Sequence, residues 1–449
     1  MNEEVRQAGP TAGRKEGARK GTGNGERNPA REGRRDQAAD RDDRADRADE
    51  AAGRAVKEEA GRPHDVVLFG ATGFVGALTA EYLAANAPAD CRWALAARDL
   101  GKLERLRDRL AALHPAAADV PLIRADASDP AAVRELAAAT RVLATTVGPY
   151  VLYGGEIVAG CAASGTDYVD LTGEPEFVDR TYVLHDAQAR ETGARLVHAC
   201  GFDSIPADLG TYFTVAQLPR DVPIRVDGFM RSNALFSGGT LASALTAMGR
   251  APQTLAAARE RRLHEHRLPG RRIRGPLGVP RFSRETGTWG LPLPTLDPRI
   301  VTRSAAALDR YGPDFRYRHY ASVKHLPFAL GGTAAVGATA ALAQLPPARQ
   351  WLMDRWEPGR GPDAERRARS WFTVRFVGEG GGRRVLTEVS GGDPGYGETA
   401  KMLAESALCL AYDALPQRAG QLTTAVAMGD SLLDRLQKAG IRFRVASAR

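Results

Sequence analysis

The feature that most limits how this chain can fold is a short apolar strand running straight into spaced glycines. It reads Asp65-Val66-Val67-Leu68-Phe69, then Gly70-Ala71-Thr72-Gly73-Phe74-Val75-Gly76. The stretch behind it, Ala77 to Ala87, has helical composition, so the unit reads as strand, tight turn, helix. Each glycine has its own task. Gly70 bends without a side-chain clash, Gly73 lets a pyrophosphate approach the backbone, and Gly76 lets helix and strand pack closely. Phosphates belong at the helix N-terminus, where free N–H groups and the positive end of the dipole favour an anion. Gly70, Ala71, Thr72, Gly73, Phe74, Val75 and Gly76 are therefore the expected dinucleotide cradle.

The alternation continues. A second strand, Cys91 to Ala97, ends at Arg98, followed by Asp99 and, at the start of a helix, Lys102. An acidic residue at this strand end grips a ribose 2′-hydroxyl, whereas an arginine suits a 2′-phosphate, so Arg98 favours NADP over NAD. The third strand, Val120 to Ala125, ends at Asp126, which is either an adenine neighbour or an ordinary strand-end carboxylate. Asp129-Pro130 opens the next helix. The fourth strand, Arg141 to Val147, runs into Gly148-Pro149-Tyr150, and Val147, Gly148 and Pro149 are expected along the nicotinamide crevice. Strands at Tyr168–Leu171 and Ala194–Cys200 end in Thr172-Gly173-Glu174 and Gly201-Phe202-Asp203-Ser204-Ile205-Pro206. Polar clusters at successive carboxyl ends are where such sheets build sites, and this argues for an enzyme.

The fold class is α/β: a Rossmann-type doubly wound parallel sheet with a second α+β domain carrying an antiparallel sheet. Its boundaries are residues 63–210 for the nucleotide domain, 211–397 for the substrate domain and 398–449 for C-terminal helices packing back on the first. In the second domain, Trp371 to Val377 and Arg384 to Val389 form a hairpin about the glycines between them, and Gly239 to Met248 reads as a capped helix.

Residues 1–62 read as a disordered charged tail, because Arg, Asp, Glu, Gly and Ala without aromatics cannot bury enough apolar surface to offset ordering entropy. The tail has neither the apolar run of a signal peptide nor the acid-poor composition of a transit peptide. The net charge of +8 comes with no zinc-finger spacing or RNA-binding signature, so nucleic acid is not an expected partner. Cys91, Cys161, Cys200 and Cys409 form no C-x-x-C pair, which fits reduced thiols and a cytoplasmic setting. No metal is expected: His264 and His266, two apart, match no zinc pattern.

The glycine turn, Val147-Gly148-Pro149-Tyr150, Tyr153-Gly154 and Gly201-Phe202-Asp203-Ser204-Ile205-Pro206 together resemble the saccharopine-dehydrogenase-like oxidoreductases. Within that group the chain is most similar to the bacterial trans-acting enoyl reductases of complex-lipid and polyketide assembly. The likeness runs from about Asp65 to Val445 and includes Gly391-Gly392-Asp393-Pro394-Gly395-Tyr396 and Thr399-Ala400-Lys401-Met402. It implies an NAD(P)-binding Rossmann domain, a second domain over the nicotinamide, and reduction of a carbon–carbon double bond in a lipid-like substrate. The set of arginines that holds the two carboxylates in true saccharopine enzymes has no evident counterpart.

Such a reaction needs a proton source and a group that polarises a conjugated carbonyl. The strand-end candidates are Tyr150, Tyr153, Glu174, Asp203 and Ser204, the tyrosines first; each also suits a bland role as a turn or helix cap. Lys324 and His325, after Tyr317-Arg318-His319-Tyr320, either reach the site from the second domain or are solvated. The uncharged run Leu326 to Leu345 is read as buried core, a lipid-facing element or a membrane span. The arginines of Arg259 to Arg274 either dock an acidic acyl carrier or anionic membrane surface, or are solvated. The leading function is an NADP-dependent reductase of a lipid or polyketide intermediate, cytoplasmic or peripheral on the inner face of the plasma membrane. The alternatives are a lipid-associated nucleotide-binding protein without turnover and a saccharopine-type amino-acid dehydrogenase.

Overall fold

The computed structural model describes residues 61–234, 249–265, 269–325 and 361–448, with isolated positions between 327 and 342. The stretch 1–60, the expected helix at 239–248 and nearly all of the 326–345 run lie outside the described residues.

The first sheet is built from β1 (His64–Phe69), β2 (Trp93–Ala97), β3 (Leu122–Arg124), β4 (Thr140–Thr145), β5 (Asp167–Asp170) and β6 (Arg195–Val197). Its order is β3-β2-β1-β4-β5-β6, every pairing parallel, with a seventh strand, Gly420–Leu422, added parallel beside β6. Helices α1 (Phe74–Asn86), α2 (Leu100–Leu113), α3 (Pro130–Ala138), α4 (Tyr150–Ser164) and α5 (Pro175–Thr192) connect these strands. Parallel strands are covered on both faces, so β1 is continuously apolar, and Val66, Val67, Leu68 and Phe69 are all buried. Asp129 caps α3 by accepting the amides of Ala131 at 2.9 Å and Ala132 at 3.3 Å, and Asp99 accepts the amide of Lys102 at the head of α2. Arg62, expected in the tail, is buried: its guanidinium donates to the Thr140 carbonyl and to the Thr166 hydroxyl at 2.7 Å.

Helix α6 (Ile205–Ala216) spans the expected boundary at residue 210 and packs on the second sheet. The second sheet comprises β7 (Ile224–Ser232), β8 (Arg272–Arg274), β9 (Arg281–Ser283), β10 (Thr288–Pro292), β11 (Asp314–Val323), β12 (Phe372–Gly380) and β13 (Arg383–Gly391), and helices α7 (Ala251–His264), α8 (Asp297–Ala307) and α9 (Ala364–Ala368) fall between its strands. The sheet is mixed: β7 and β8 pair parallel with β11, and the remaining pairs are antiparallel. The hairpin β12–β13 turns on Gly381 and Gly382, at φ 57° and 78°, a two-residue loop that needs positive φ at both positions. Gly210 is where α6 meets β12: a Cβ there would lie 2.4 Å from the Phe376 ring.

The C-terminal part serves both sheets. Helix α10 (Gly397–Tyr412) packs on α1 and β4, with Tyr82 donating to Glu405 at 2.7 Å and Tyr412 to Asp65 at 3.1 Å. After it come β14 (Gly420–Leu422), the seventh strand of the first sheet, then α11 (Thr424–Ala427), α12 (Gly429–Lys438) and β15 (Arg442–Ala448), which pairs antiparallel with β13 at the edge of the second sheet. Asp208 in α6 ties the parts together by accepting from Thr424 at 2.7 Å, the Ala425 amide at 2.9 Å and the Ser304 hydroxyl. Among the described residues no helix is long and apolar enough to cross a membrane.

Candidate functional site

The turn after β1 has the geometry a dinucleotide needs. Gly70 sits at φ 88°, and a Cβ there would fall 2.8 Å from Thr146 Oγ1 and 2.9 Å from the Val147 side chain. A Cβ at Gly76 would lie 2.3 Å from the Gly70 carbonyl oxygen, so only glycine allows α1 this close to its strand. Gly73 is the N-cap of α1 and makes no side-chain cap. The first intrahelical bond runs from the Ala77 amide to the Gly73 carbonyl, leaving the amides of Phe74, Val75 and Gly76 to a ligand. The residues present therefore fit a pyrophosphate. Tyr396, just before α10, packs edge-on against the Phe74 ring at 4.9 Å, which closes one side of the cradle.

At the end of β2, Arg98 is exposed and pairs with no carboxylate among the described residues. Asp126 accepts the Ser128 amide at 2.9 Å and hydroxyl at 2.8 Å, and these bonds hold its carboxyl below the usual range, with the Arg98 charge contributing. The Asp126 carboxylate thus organises its own turn. A free guanidinium next to it suits the 2′-phosphate of NADP.

At the ends of β4, β5 and β6 the sequence candidates separate. Tyr150 and Tyr153 stand in the first turn of α4 and not on a strand-end loop. The buried Tyr150 hydroxyl donates to the Thr145 carbonyl at 3.2 Å and accepts the Leu171 amide at 3.1 Å, so it staples β4 to the end of β5. Glu174 is buried and accepts the amides of Tyr150 at 3.0 Å and Val151 at 2.8 Å, capping α4 from the end of β5. Both residues are committed to the scaffold. Tyr153 is exposed, and its hydroxyl bonds nothing among the described residues. Val147, Gly148 and Pro149 belong to the link between β4 and α4, with a cis peptide between Gly148 and Pro149.

Asp203 and Ser204 remain together. Asp170 ends β5 fully engaged: Oδ1 accepts the amides of Thr172 at 3.0 Å and Ala199 at 2.8 Å, and Oδ2 accepts Tyr168 at 2.9 Å and His198 Nδ1 at 2.7 Å. These bonds hold Ala199 at φ 60°, a strained position for a side-chain-bearing residue, and so aim the loop that carries Asp203. A Cβ on Gly173 would be 3.5 Å from Asp203 Oδ1, which places the carboxyl over the end of β5. Burial, then the charges of Asp297 and Asp170, push the Asp203 carboxyl up to about 7. Next to it the buried Ser204 hydroxyl has no hydrogen-bond partner among the described residues. Half-buried, beside the like charges of Asp170 and Asp297 and raised by both effects, the Asp203 carboxyl has the properties of a general acid.

The residue that sequence reasoning missed is Asp297, at the head of α8; Asp-Pro there reads as an ordinary helix start. It is buried, takes the Thr295 hydroxyl, and is raised by burial against the opposing influence of His319. His319, from β11, lies 2.7 Å by Nδ1 from the Tyr317 hydroxyl and is buried. Lys324 and His325 are exposed past the end of the same strand. In the arginine-rich stretch, Arg261 is buried in an ion-pair network, Arg271 donates to the last carbonyls of α8 (Ala305 at 2.8 Å, Leu308 at 3.0 Å) and Arg274 pairs with Asp314 at 2.7 Å. Arg259, Arg262 and Arg272 are exposed.

Residues 66–197 match the family model for the saccharopine dehydrogenase NADP binding domain. A trans-acting enoyl reductase of Mycobacterium tuberculosis is 39% identical over 414 residues, covering 85% of this chain and 97% of that protein. A trans-acting enoyl reductase of Mycobacterium ulcerans is 36% identical over 416 residues with the same coverage of 85% and 97%. Among solved structures, apo saccharopine dehydrogenase (L-Glu forming) from Saccharomyces cerevisiae aligns with a TM-score of 0.50 at 12% identity, over 86% of this chain and 100% of that one; this shows the shared fold. The cofactor is NADP, and the chain belongs to the trans-acting enoyl reductase family of saccharopine-dehydrogenase-like, NAD(P)-dependent oxidoreductases.

Proposed function

We propose that this oxidoreductase reduces a conjugated carbon–carbon double bond of a lipid or polyketide intermediate, with Asp203 as the proton donor. The observation that carries the reading is the placement of the Asp203 carboxyl over the end of β5, with the carboxyls of Asp297 and Asp170 acting on it; burial and those charges raise it to about 7. Bound NADPH supplies the hydride to the β-carbon. Asp203 then gives its proton to the α-carbon and recovers one from water, so each turnover consumes one NADPH and one proton.

The electrostatics favour a neutral substrate over an amino acid. Among the described residues, the charges acting on Asp203 are the carboxyls of Asp297 and Asp170, and these repel a dicarboxylate. The names of the M. tuberculosis and M. ulcerans relatives support enoyl reduction. The substrate is carrier-bound or lipid-like, met in the cytoplasm or at the inner face of the plasma membrane. Exposed Leu277, Val279 and Phe282 beside exposed Arg272 and Arg284 fit peripheral contact with an anionic bilayer.

The test is NADPH oxidation followed at saturating cofactor with a long-chain 2-enoyl thioester and, separately, with saccharopine. The reading requires saturable oxidation with the thioester and formation of the saturated acyl product. Oxidation with neither leaves a nucleotide-binding protein without turnover, and activity on saccharopine alone makes it an amino-acid dehydrogenase.

A further inference from the structure

Away from the glycine turn, along the outer side of β14 and α5, lies a cavity of about 600 Å³. Four arginines line it: Arg190, Arg261, Arg303 and Arg418. Arg261 and Arg303 form its inner part, and Arg190 and Arg418 are exposed at its mouth. Val178, Ile300 and Leu422 supply apolar wall.

The carboxylates around these arginines do not match them in number. Asp179 alone serves three guanidinium groups, those of Arg261 at 3.8 Å, Arg299 at 2.6 Å and Arg303. Glu265 adds a second carboxylate to Arg261 and Arg303, and Asp186 pairs with Arg190 at 2.8 Å. Arg418 donates to the Ala307 carbonyl at 3.4 Å and has no carboxylate among the described residues. Counting Arg299, which shares Asp179 but does not line the cavity, five guanidinium groups are set against three carboxylates, and Arg303 keeps Nη1 buried with no hydrogen-bond partner among the described residues. A buried guanidinium N–H left unpaired is costly, and an anion relieves it. Burial, and after it the neighbouring Arg303 charge, pulls the Arg261 guanidinium down to about 10 against the pull of Glu265 and Asp179.

The geometry points to a second ligand site, distinct from the nucleotide cradle, for an organic phosphate: a phosphate dianion against Arg303 and Arg418, with its apolar part on Val178, Ile300 and Leu422. A dianion matches the excess of two cations, and guanidinium forks take phosphate bidentately. A bare phosphate fills only a small part of a cavity in the size range of small-molecule sites, which is why the ligand carries an organic group. Helix α8 connects this cavity to the acid cluster, presenting Asp297 at its head and Ile300 and Arg303 within the next two turns.

The test is calorimetric titration of the full chain, saturated with NADP⁺ so that the cradle is blocked, with hexyl phosphate, inorganic phosphate and hexanol. Saturable binding of hexyl phosphate is expected, at least tenfold tighter than inorganic phosphate, with no binding of hexanol. Arg418→Ala, at an exposed position, should weaken hexyl phosphate about fivefold, and Arg303→Gln at least tenfold. Absence of saturable binding, equal affinity for inorganic phosphate, or an affinity unchanged by Arg418→Ala would overturn the assignment.

Discussion

The Glu174 carboxylate takes the amide of Tyr150 at 3.0 Å, so a residue at the end of β5 caps a helix that begins 24 positions earlier. Pro149, the N-cap of α4, has no side-chain acceptor to offer, and Glu174 satisfies the amides of both Tyr150 and Val151 in its place. Glu174→Ala leaves those N–H groups unpaired and is expected to cost roughly 2–3 kcal/mol. Glu174→Gln keeps one acceptor and should cost about half as much, on the order of 1 kcal/mol. Denaturant unfolding checks both, and loss of activity without loss of stability would show that Glu174 acts on substrate after all.

Gly76 admits no side chain, because its Cβ position lies 2.3 Å from the Gly70 oxygen. Gly76→Ala must push α1 away from β1, and overpacking of this kind costs about 1–3 kcal/mol. Since the same movement withdraws the amides of Phe74, Val75 and Gly76, NADPH affinity should fall at least tenfold, read by cofactor fluorescence on the folded variant.

Arg98 bears on the choice of nucleotide. Arg98→Ala is expected to weaken NADPH binding about tenfold, the worth of roughly 1.4 kcal/mol for a lost charge-assisted contact, and to leave NADH unchanged. An equal loss for both nucleotides would place Arg98 outside the 2′-phosphate site.

Asp65 makes an acid-labile lock between the first strand and the C-terminal helix. Burial works to raise its pKa, but the Arg92 guanidinium and amide and the Tyr412 hydroxyl outweigh that and hold it at about 2. With the folded value below the unfolded one, its contribution is complete above the ordinary carboxylate range near 4 and is lost as the pH falls from there towards 2. The amount is about 2 kcal/mol. The stability gap between wild type and Asp65→Asn should therefore narrow across that interval, measured by unfolding at pH 5, 4 and 3.

Much of the first sheet is legible in the sequence because each parallel strand is an apolar run ending in glycine or a polar cluster, as in Val66–Phe69 or Leu143–Thr145. The strand β14 is not: three residues, Gly420-Gln421-Leu422, carry no periodicity, and they are held by pairing with β6. The edge strand β15 escapes for a related reason, since most of it is exposed and polar positions alternate with no buried face. At the site, the sequence marks the strand-end loops but not which side chains the scaffold consumes. Tyr150 and Glu174 look as reactive as Asp203 until their partners, Thr145, Leu171 and Val151, are in view. Asp297 acts on Asp203 from the head of α8, 94 positions along the chain, a relation of tertiary packing that leaves no local pattern.

If Asp203 donates the proton, the pH dependence of kcat/KM for enoyl-thioester reduction by wild type and Asp203→Asn reads it out. Because the acid must be protonated to act, wild-type kcat/KM should fall as the pH rises through about 7. Asp203→Asn should be slower by roughly 100-fold or more, with that limb of the profile abolished and NADPH affinity retained. An Asp203→Asn enzyme with the wild-type rate and the same decline above neutrality would mean that another group donates the proton.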